Sequence, residues 1–199
     1  MSILEQLEFL QNVGEKASKR TAEVLGELMN LNVNMEISKV GIMPIENLPE
    51  EIGEEKIVVL RIDFSGHITG TAMVMLDINS AHEMAQILME GIEKGEKIME
   101  FTYMEQSCIN EIGNIIVASF IDTIANELGV ELNMSPPLFL FDFGSAIVQS
   151  TIVDILSDAD FAIVFNTRID ALDKEKRVNC SIIVLPKPSD IEKLSKPAK

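Results

Sequence analysis

The sequence contains few cysteines and few basic residues. Two cysteines, Cys108 and Cys180, occur in 199 residues. They are too few for a disulfide framework or for the four ligands of a structural zinc site. Lysine and arginine number 16 against 32 acidic residues, which gives a formal net charge of -16. Because nucleic acids and anionic membranes are bound largely through basic residues, we expect neither as a partner. We predict a reducing compartment and a buried Cys108.

Targeting and metal-binding patterns are also missing from the sequence. The N-terminal residues MSILEQLE include no basic segment, and no apolar run approaches the roughly 20 residues that span a bilayer. We therefore predict a soluble, cytoplasmic protein. His67 and His82 lack metal-ligand spacing and are interpreted as ordinary surface or turn histidines. No phosphate-binding glycine loop, HExxH or GxSxG motif occurs in the sequence.

The sequence does contain one pattern of helical and strand segments that occurs twice. When the first segment is shifted by 99 positions, residues 9–35 align with residues 108–134. Gly14 then aligns with Gly113, and the apolar pattern is kept throughout. Each copy begins with a long helical pattern and continues into strand patterns. Such an internal repeat predicts two halves related by a pseudo-twofold axis.

The strand patterns predict two antiparallel hairpins. The first joins residues 56–64 to 67–76 through the two-residue turn Ser65–Gly66, and the second joins residues 161–169 to 178–185. Further strands are predicted at residues 33–43, 130–134 and 138–143, and short helices at residues 80–90 and 145–156. Antiparallel hairpins interleaved with helices indicate an α+β fold. We predict that the duplicated helix-plus-hairpin units share one sheet, with the long helices on one face.

We predict a single domain made of two halves. The first half covers residues 1–92 and the second covers residues 101–186, with the charged segment 93–100 as their linker. Residues 187–199 contain two prolines and four lysines, and they are predicted to form a mobile tail with a short helix at residues 190–194.

The second long helix contains an ordered polar motif. Ser107, Glu111 and Asn114 are spaced i, i+4 and i+7, which places a hydroxyl, a carboxylate and a carboxamide on one face. A carboxylate can pair with a cation, and a carboxamide can hold a water by donating and accepting hydrogen bonds at once. The same spacing is, more commonly, that of an ordinary solvated helix face, so spacing alone leaves both interpretations open.

Helical periodicity predicts how this helix packs. At 100° per residue an apolar arc lies about a quarter turn from the motif, and we expect this arc to pack on the sheet. Its members are Phe101, Met104, Cys108, Ile112, Ile115 and Ser119. Gly113 lies elsewhere on the circumference and is expected to permit close packing, since a glycine inside a helix is otherwise unfavourable.

The motif resembles a known signature. Ser107, Glu111 and Asn114, in the context Asn-Glu-Ile-Gly-Asn and followed by Pro136–Pro137, resemble the CheC/CheX/FliY phosphatases of prokaryotic chemotaxis, and the CheC type most closely. The resemblance covers most of the chain, including the duplicated pattern. It implies that the protein removes the phosphoryl group from the aspartate of a phosphorylated CheY-type response regulator.

The resemblance also implies a role for each motif residue. Glu111 would pair with a lysine of the regulator, and Asn114 would enter the regulator's active site and orient the attacking water. Ser107 would contact the partner. The Mg²⁺ ion would belong to the regulator, so the resemblance implies no cofactor and no metal ligands in this chain.

The first long helix departs from the signature. Its equivalent positions hold Glu8, Asn12 and Glu15, so that carboxylate and amide have exchanged order. An ionised Glu15 cannot donate a hydrogen bond and would be repelled by a phosphoryl group, so we predict one working site. The loss of one motif leaves an alternative open, in which the protein is a non-enzymatic adaptor that binds CheD or CheY. A dimer formed through a sheet edge is less favoured, because one chain already supplies both halves.

Overall fold

The computed structural model describes residues 3–89, 100–155, 160–187 and 190. The predicted linker therefore lies outside the described residues except for Glu100, and so does the predicted tail except for Lys187 and Asp190. The described helices are α1 (Ile3–Met29), α2 (Leu48–Ile52), α3 (Ile78–Leu88), α4 (Tyr103–Leu128) and α5 (Gly144–Ile155). The strands are β1 (Val33–Pro44), β2 (Lys56–Gly66), β3 (Gly70–Asp77), β4 (Leu132–Met134), β5 (Leu138–Phe143), β6 (Phe161–Ala171) and β7 (Lys176–Pro186).

The strands form one antiparallel sheet that both halves share. Its order is β1-β6-β7-β3-β2, and β4 and β5 both pair with β2. The hairpins β2–β3 and β6–β7 meet at the centre, where β3 pairs with β7. Each half contributes a strand to the other, since β1 pairs with β6 and β5 pairs with β2. The halves share one sheet in a pseudo-twofold arrangement, as the repeat predicts, and the predicted α+β class is confirmed. The exchange of strands between the halves goes beyond that prediction.

Apolar cores form on both faces of the sheet. The helices α1, α3 and α4 cover one face, where Phe120 of α4 packs edge-on against Phe165 of β6 with ring centroids 5.2 Å apart. The shorter helices α2 and α5 cover the other face and bury Leu48 and Val148 against it. The two long helices therefore share one face, as predicted. By length and composition α4 could cross a membrane, but 61% of its most apolar window is buried, as in the core helix of a soluble protein.

A glycine in each long helix allows close approach to the sheet. A Cβ atom added to Gly113 would overlap Cδ1 of the buried Leu60 on β2. A Cβ atom added to Gly14 would lie 3.2 Å from the ring of Phe165 on β6. Leu60 and Phe165 thus take the same place beneath the two helices. The prediction that Gly113 permits close packing is confirmed, and the repeated glycine has a structural cause.

The predicted turn at Ser65–Gly66 is wrong. Both residues extend β2, where they pair with Asn133 and Leu132 of β4, and residues 67–69 connect the hairpin instead. Strand β4 comes from the other half of the chain and supplies backbone partners that a tight turn would leave unused. A contact distant in sequence therefore overrides the local turn preference.

The buried face of α4 is rotated from the predicted arc. Met104 is 52% exposed and Cys108 is half-buried, whereas Ile109 and Ile116 are fully buried. Apolar residues occupy so much of this helix that their pattern does not select one side. The buried side also includes Glu105, which is 3% exposed and which a pattern of hydrophobicity would place in water.

Candidate functional site

The start of α4 is fixed by a hydrogen-bonded cap. Thr102 Oγ1 accepts a hydrogen bond from the backbone N–H of Glu105 at 3.2 Å, and the Thr102 N–H donates to Glu105 Oε2 at 2.8 Å. Such a capping box satisfies backbone groups that the first helical turn leaves free. The Thr-x-x-Glu spacing is visible in the sequence and could have identified this helix start.

The same carboxylate ties α4 to α3. Glu105 Oε1 lies 2.9 Å from His82 Nδ1, and the His82 ring stacks on Phe101 with centroids 4.4 Å apart. The interpretation of His82 as an ordinary surface or turn histidine is wrong, since it lies in α3 and its side chain is 13% exposed. Sequence spacing does not reveal this contact, because 23 residues separate the partners. The start of the helix that presents the motif is therefore held both by its cap and by a contact with α3, and Glu105 takes part in both.

Burial and hydrogen bonding act in opposite directions on Glu105. Burial alone would raise the pKa of Glu105, but hydrogen bonds from Thr102 and His82 outweigh it and hold the pKa below its usual range. Burial, together with the nearby Glu105 carboxylate, raises the pKa of the Cys108 thiol. Cys108 therefore remains protonated at neutral pH and is a poor candidate for a nucleophile.

The three motif residues project from one face of α4. Glu111 is exposed, and Ser107 and Asn114 are half-buried. Ser107 Oγ donates to the carbonyl oxygen of Tyr103 at 2.8 Å, which engages the hydroxyl with its own helix. Within the described part of the chain, no hydrogen bond is made by the side chains of Glu111 and Asn114. The carboxylate and the amide are thus available to an incoming molecule.

The residues of the degenerate motif lie at the other end of the helix pair. Glu8, Asn12 and Glu15 are exposed on α1, and Glu15 accepts a hydrogen bond from Gln11 at 3.4 Å. The structure does not bring this group together with Glu111 and its neighbours, because the two long helices run antiparallel.

Two ion pairs between α1 and α4 show that antiparallel arrangement. Lys16 Nζ lies 2.7 Å from Glu127 Oε1, and Arg20 Nη2 lies 3.3 Å from Asp122 Oδ2. Moving along α1 therefore means moving back along α4. The two motifs consequently face solvent at opposite ends of the same pair of helices.

The motif face offers positioning groups and no strong base. A carboxylate and a carboxamide one helical turn apart can hold a cation and orient a water. Among residues 3–89, 100–155, 160–187 and 190, no group of three or more His, Cys, Asp or Glu side chains could hold a metal ion. The arrangement suits chemistry that depends on placing a water and neutralising charge.

Comparisons of sequence identify relatives over nearly the whole chain. The CheC-like family model matches residues 104–140, which include the whole motif. CheC1 of Halobacterium salinarum is 31% identical over 176 residues, covering 87% of this chain and 88% of that protein. CheC of Bacillus subtilis is 22% identical over 192 residues, covering 96% and 92%. Both relatives are named CheY-P phosphatases.

Solved structures share the fold at low sequence identity. FliY of Thermotoga maritima superposes with a TM-score of 0.79 at 15% identity, covering 98% of this chain and 96% of that chain. CheX of Borrelia burgdorferi, solved in a complex with CheY, BeF3 and Mg²⁺, superposes with a TM-score of 0.52 at 20% identity, covering 87% and 97%. These likenesses show the common fold of the sheet and helices.

Proposed function

The chain belongs to the CheC-like family, and we propose that it hydrolyses the aspartyl-phosphate of a CheY-type response regulator. The observation that carries the proposal is the outward presentation of Glu111 and Asn114 on α4, without hydrogen bonds to the described protein. The helix has a defined cap at each end. The capping box fixes its start, and Gly129 ends it in a left-handed conformation with φ 68°.

Asn114 is proposed to orient the attacking water. Its amide can accept a hydrogen bond from the water and donate one to a phosphoryl oxygen, which aligns the water with the phosphorus. The water oxygen forms a bond to phosphorus while the bond from phosphorus to the aspartate oxygen breaks. The products are the free aspartate carboxylate and inorganic phosphate. Phosphoryl transfer depends mainly on such positioning and on neutralising charge, so no strong base is needed.

Glu111 is proposed to hold the regulator in place. Its exposed carboxylate can pair with a lysine of the regulator, one helical turn from the amide. The Mg²⁺ that neutralises the phosphoryl group would be bound by the regulator. Two findings support this partner, namely the names of the two relatives and the presence of CheY and Mg²⁺ in the complex of the structural neighbour CheX. Ser107, whose hydroxyl already bonds to its own helix, would border the contact.

We propose one working site in this chain. At Glu15 a carboxylate stands where the signature has the amide, and it would repel a phosphoryl group. The exposed face around Glu8, Asn12 and Glu15 instead favours a second candidate function, that of an adaptor that binds CheD or CheY without hydrolysis. The two functions can coexist, because the faces lie at opposite ends of the helix pair.

The decay of a phosphorylated response regulator tests the proposal. With Mg²⁺ present, the wild-type protein should speed release of phosphate well above the regulator's own rate. Asn114→Ala should lower kcat by about 100-fold or more, the size of effect seen when one transition-state hydrogen-bond donor is removed. Glu111→Ala should weaken binding and activity, and Glu15→Ala should change neither. Unaccelerated decay with the wild-type protein would contradict the enzymatic proposal, and tight CheD binding in its place would favour the adaptor.

A further inference from the structure

One ridge of α1 changes character along its length. Lys16, Arg20, Val24 and Leu28 follow one another at intervals of four residues and therefore line one side of the helix. The first two form the ion pairs with α4, so this ridge lies beside α4. The last two continue the ridge as apolar side chains that are 39% and 53% exposed. The ridge is thus charged at one end and apolar at the other.

The antiparallel packing places the apolar end of this ridge beside the motif. The ion pairs join residues 16 and 20 of α1 to residues 127 and 122 of α4. Both helices rise about 1.5 Å per residue, so Val24 comes level with Ala118, and Leu28 comes level with Asn114 and Ile115. The exposed apolar half of the ridge therefore lies level with the amide along the pair of helices.

Two further apolar side chains are exposed at the start of α4. Tyr103 is 86% exposed and Met104 is 52% exposed, and Met104 shares a helix face with Glu111, seven residues later. Single exposed apolar residues are ordinary on protein surfaces, but a group of them around a polar centre is typical of an interaction site. We call Val24, Leu28, Tyr103 and Met104 the apolar rim.

Leu28 of the apolar rim has no apolar counterpart at the other end of the helix pair. The 99-residue repeat relates Leu28 to Glu127 and Ile115 to Lys16. At the working end these positions are apolar, whereas at the degenerate end they form an ion pair of 2.7 Å. The apolar side chain at Leu28 is therefore not a general property of the repeated scaffold. It accompanies the intact motif.

We propose that the apolar rim is the part of the docking surface that holds the phosphorylated regulator around its active site. This inference rests on the proposed function, because the regulator must contact the face around Glu111 and Asn114 for those residues to act. Glu23 and Glu27 are exposed beside the rim. Such an acidic border fits a regulator surface that combines apolar side chains with a lysine and a bound Mg²⁺. Contacts that form equally in the complex and in the transition state lower KM and leave kcat unchanged.

Serine substitutions in the rim test this division of roles. Leu28→Ser and Met104→Ser should each raise the KM for the phosphorylated regulator by roughly tenfold and keep kcat within about twofold. The matched control is Leu172→Ser, at a residue that is also 52% exposed but lies in the connection between β6 and β7. This control should leave both constants unchanged. A lower kcat with an unchanged KM in the rim variants would overturn the inference.

A binding titration separates this inference from the proposed function. The probe is the regulator activated with beryllium fluoride and Mg²⁺, added to wild type, the rim variants and Asn114→Ala. Weaker binding by the rim variants alone supports the rim, even if the wild type shows no hydrolysis and the proposed function fails. If the rim variants bind the regulator and show a KM like wild type, while Asn114→Ala loses hydrolysis, the inference about the rim is overturned and the proposed function stands. Self-association that only the rim variants lose would assign the rim to a second copy and also overturn the inference.

Discussion

The two long helices occupy equivalent places in the fold, yet only α4 carries the intact order of hydroxyl, carboxylate and amide. Both α1 and α4 contain a glycine that fits against the sheet, and each packs against the other. On α4 the outer face carries an amide, a single carboxylate and apolar neighbours, whereas on α1 it carries Glu8, Glu15 and the ion-paired Lys16. The difference teaches that packing has preserved the repeat inside the protein, while its surfaces have been free to diverge.

The largest expected effect is a difference in activity between the two ends that remains after the degenerate motif on α1 is rebuilt. In an Asn114→Ala background, Asn12→Glu with Glu15→Asn restores the order of carboxylate and amide on α1. We expect kcat/KM to stay about 100-fold or more below wild type, because an ion pair stands where the working end has apolar residues. The measurement is release of phosphate from a phosphorylated regulator at several regulator concentrations.

Copying the apolar neighbours as well should recover part of that loss. Adding Lys16→Ile and Glu127→Leu, which reproduce Ile115 and Leu28, should raise kcat/KM by roughly tenfold. The control has these two substitutions with the motif left as it is, and it should stay inactive. Near wild-type activity from the motif exchange alone would show that the surroundings of the motif are unimportant.

The two glycines should differ in how well they tolerate a side chain. Gly113→Ala places a methyl group on the buried Leu60, and repacking costs about 1–3 kcal/mol, which exceeds the gain of up to about 1 kcal/mol from helix propensity. At Gly14 the added atom meets the Phe165 ring at 3.2 Å, so we expect a change smaller by at least about 1 kcal/mol. Urea unfolding of both variants measures the two changes in the free energy of unfolding, provided that the m-value is unchanged. Equal losses of stability would show that the helices approach the sheet equally closely.

Much of the fold follows from local patterns and the repeat. The hairpins and the α+β class are predictable from alternating and helical spacings, and the repeat predicts that the halves share one sheet. The exchange of strands between the halves is not predictable in this way, because it depends on pairing between distant segments. The turn at residues 67–69 is not predictable, because the pairing of Ser65–Gly66 with β4 depends on residues far away in the chain. The prediction of the buried side of α4 is wrong for another reason, since Glu105 is buried with a partner on α3.

The candidate site was predictable in its residues and not in its surroundings. The spacing of Ser107, Glu111 and Asn114 depends only on helix geometry, so one sequence suffices to place them on one face. The apolar rim depends on which part of α1 lies beside them. That register is seen in contacts between residues about 100 positions apart, such as Arg20 and Asp122, and no local pattern encodes it.

The anchoring of the working helix should depend on pH through Glu105. Because its pKa is lowered in the folded protein, this carboxylate contributes stability at neutral pH that is lost as the pH falls through its folded pKa. Glu105→Gln should therefore reduce the free energy of unfolding by about 1 kcal/mol at pH 7, and the difference from wild type should shrink on acidification. The matched control is Glu111→Gln, an exposed carboxylate on the same helix, which should change stability by less than about 0.5 kcal/mol. A constant difference across pH would contradict the role of the charged form.

The smallest effect is expected from the ion pairs between α1 and α4. Their side chains are 34–58% exposed, and exposed ion pairs contribute at most about 1 kcal/mol and often much less. Lys16→Met and Arg20→Met keep much of each apolar stem, so each should change the free energy of unfolding by less than about 0.5 kcal/mol at moderate salt. Urea unfolding at low and high salt checks this. A loss above about 1 kcal/mol that disappears in high salt would mean that these cations hold the helices together. A small loss instead means that packing holds the two helices together. The charge at the degenerate end is then a property of the surface, and the contrast between the two ends concerns what each can bind.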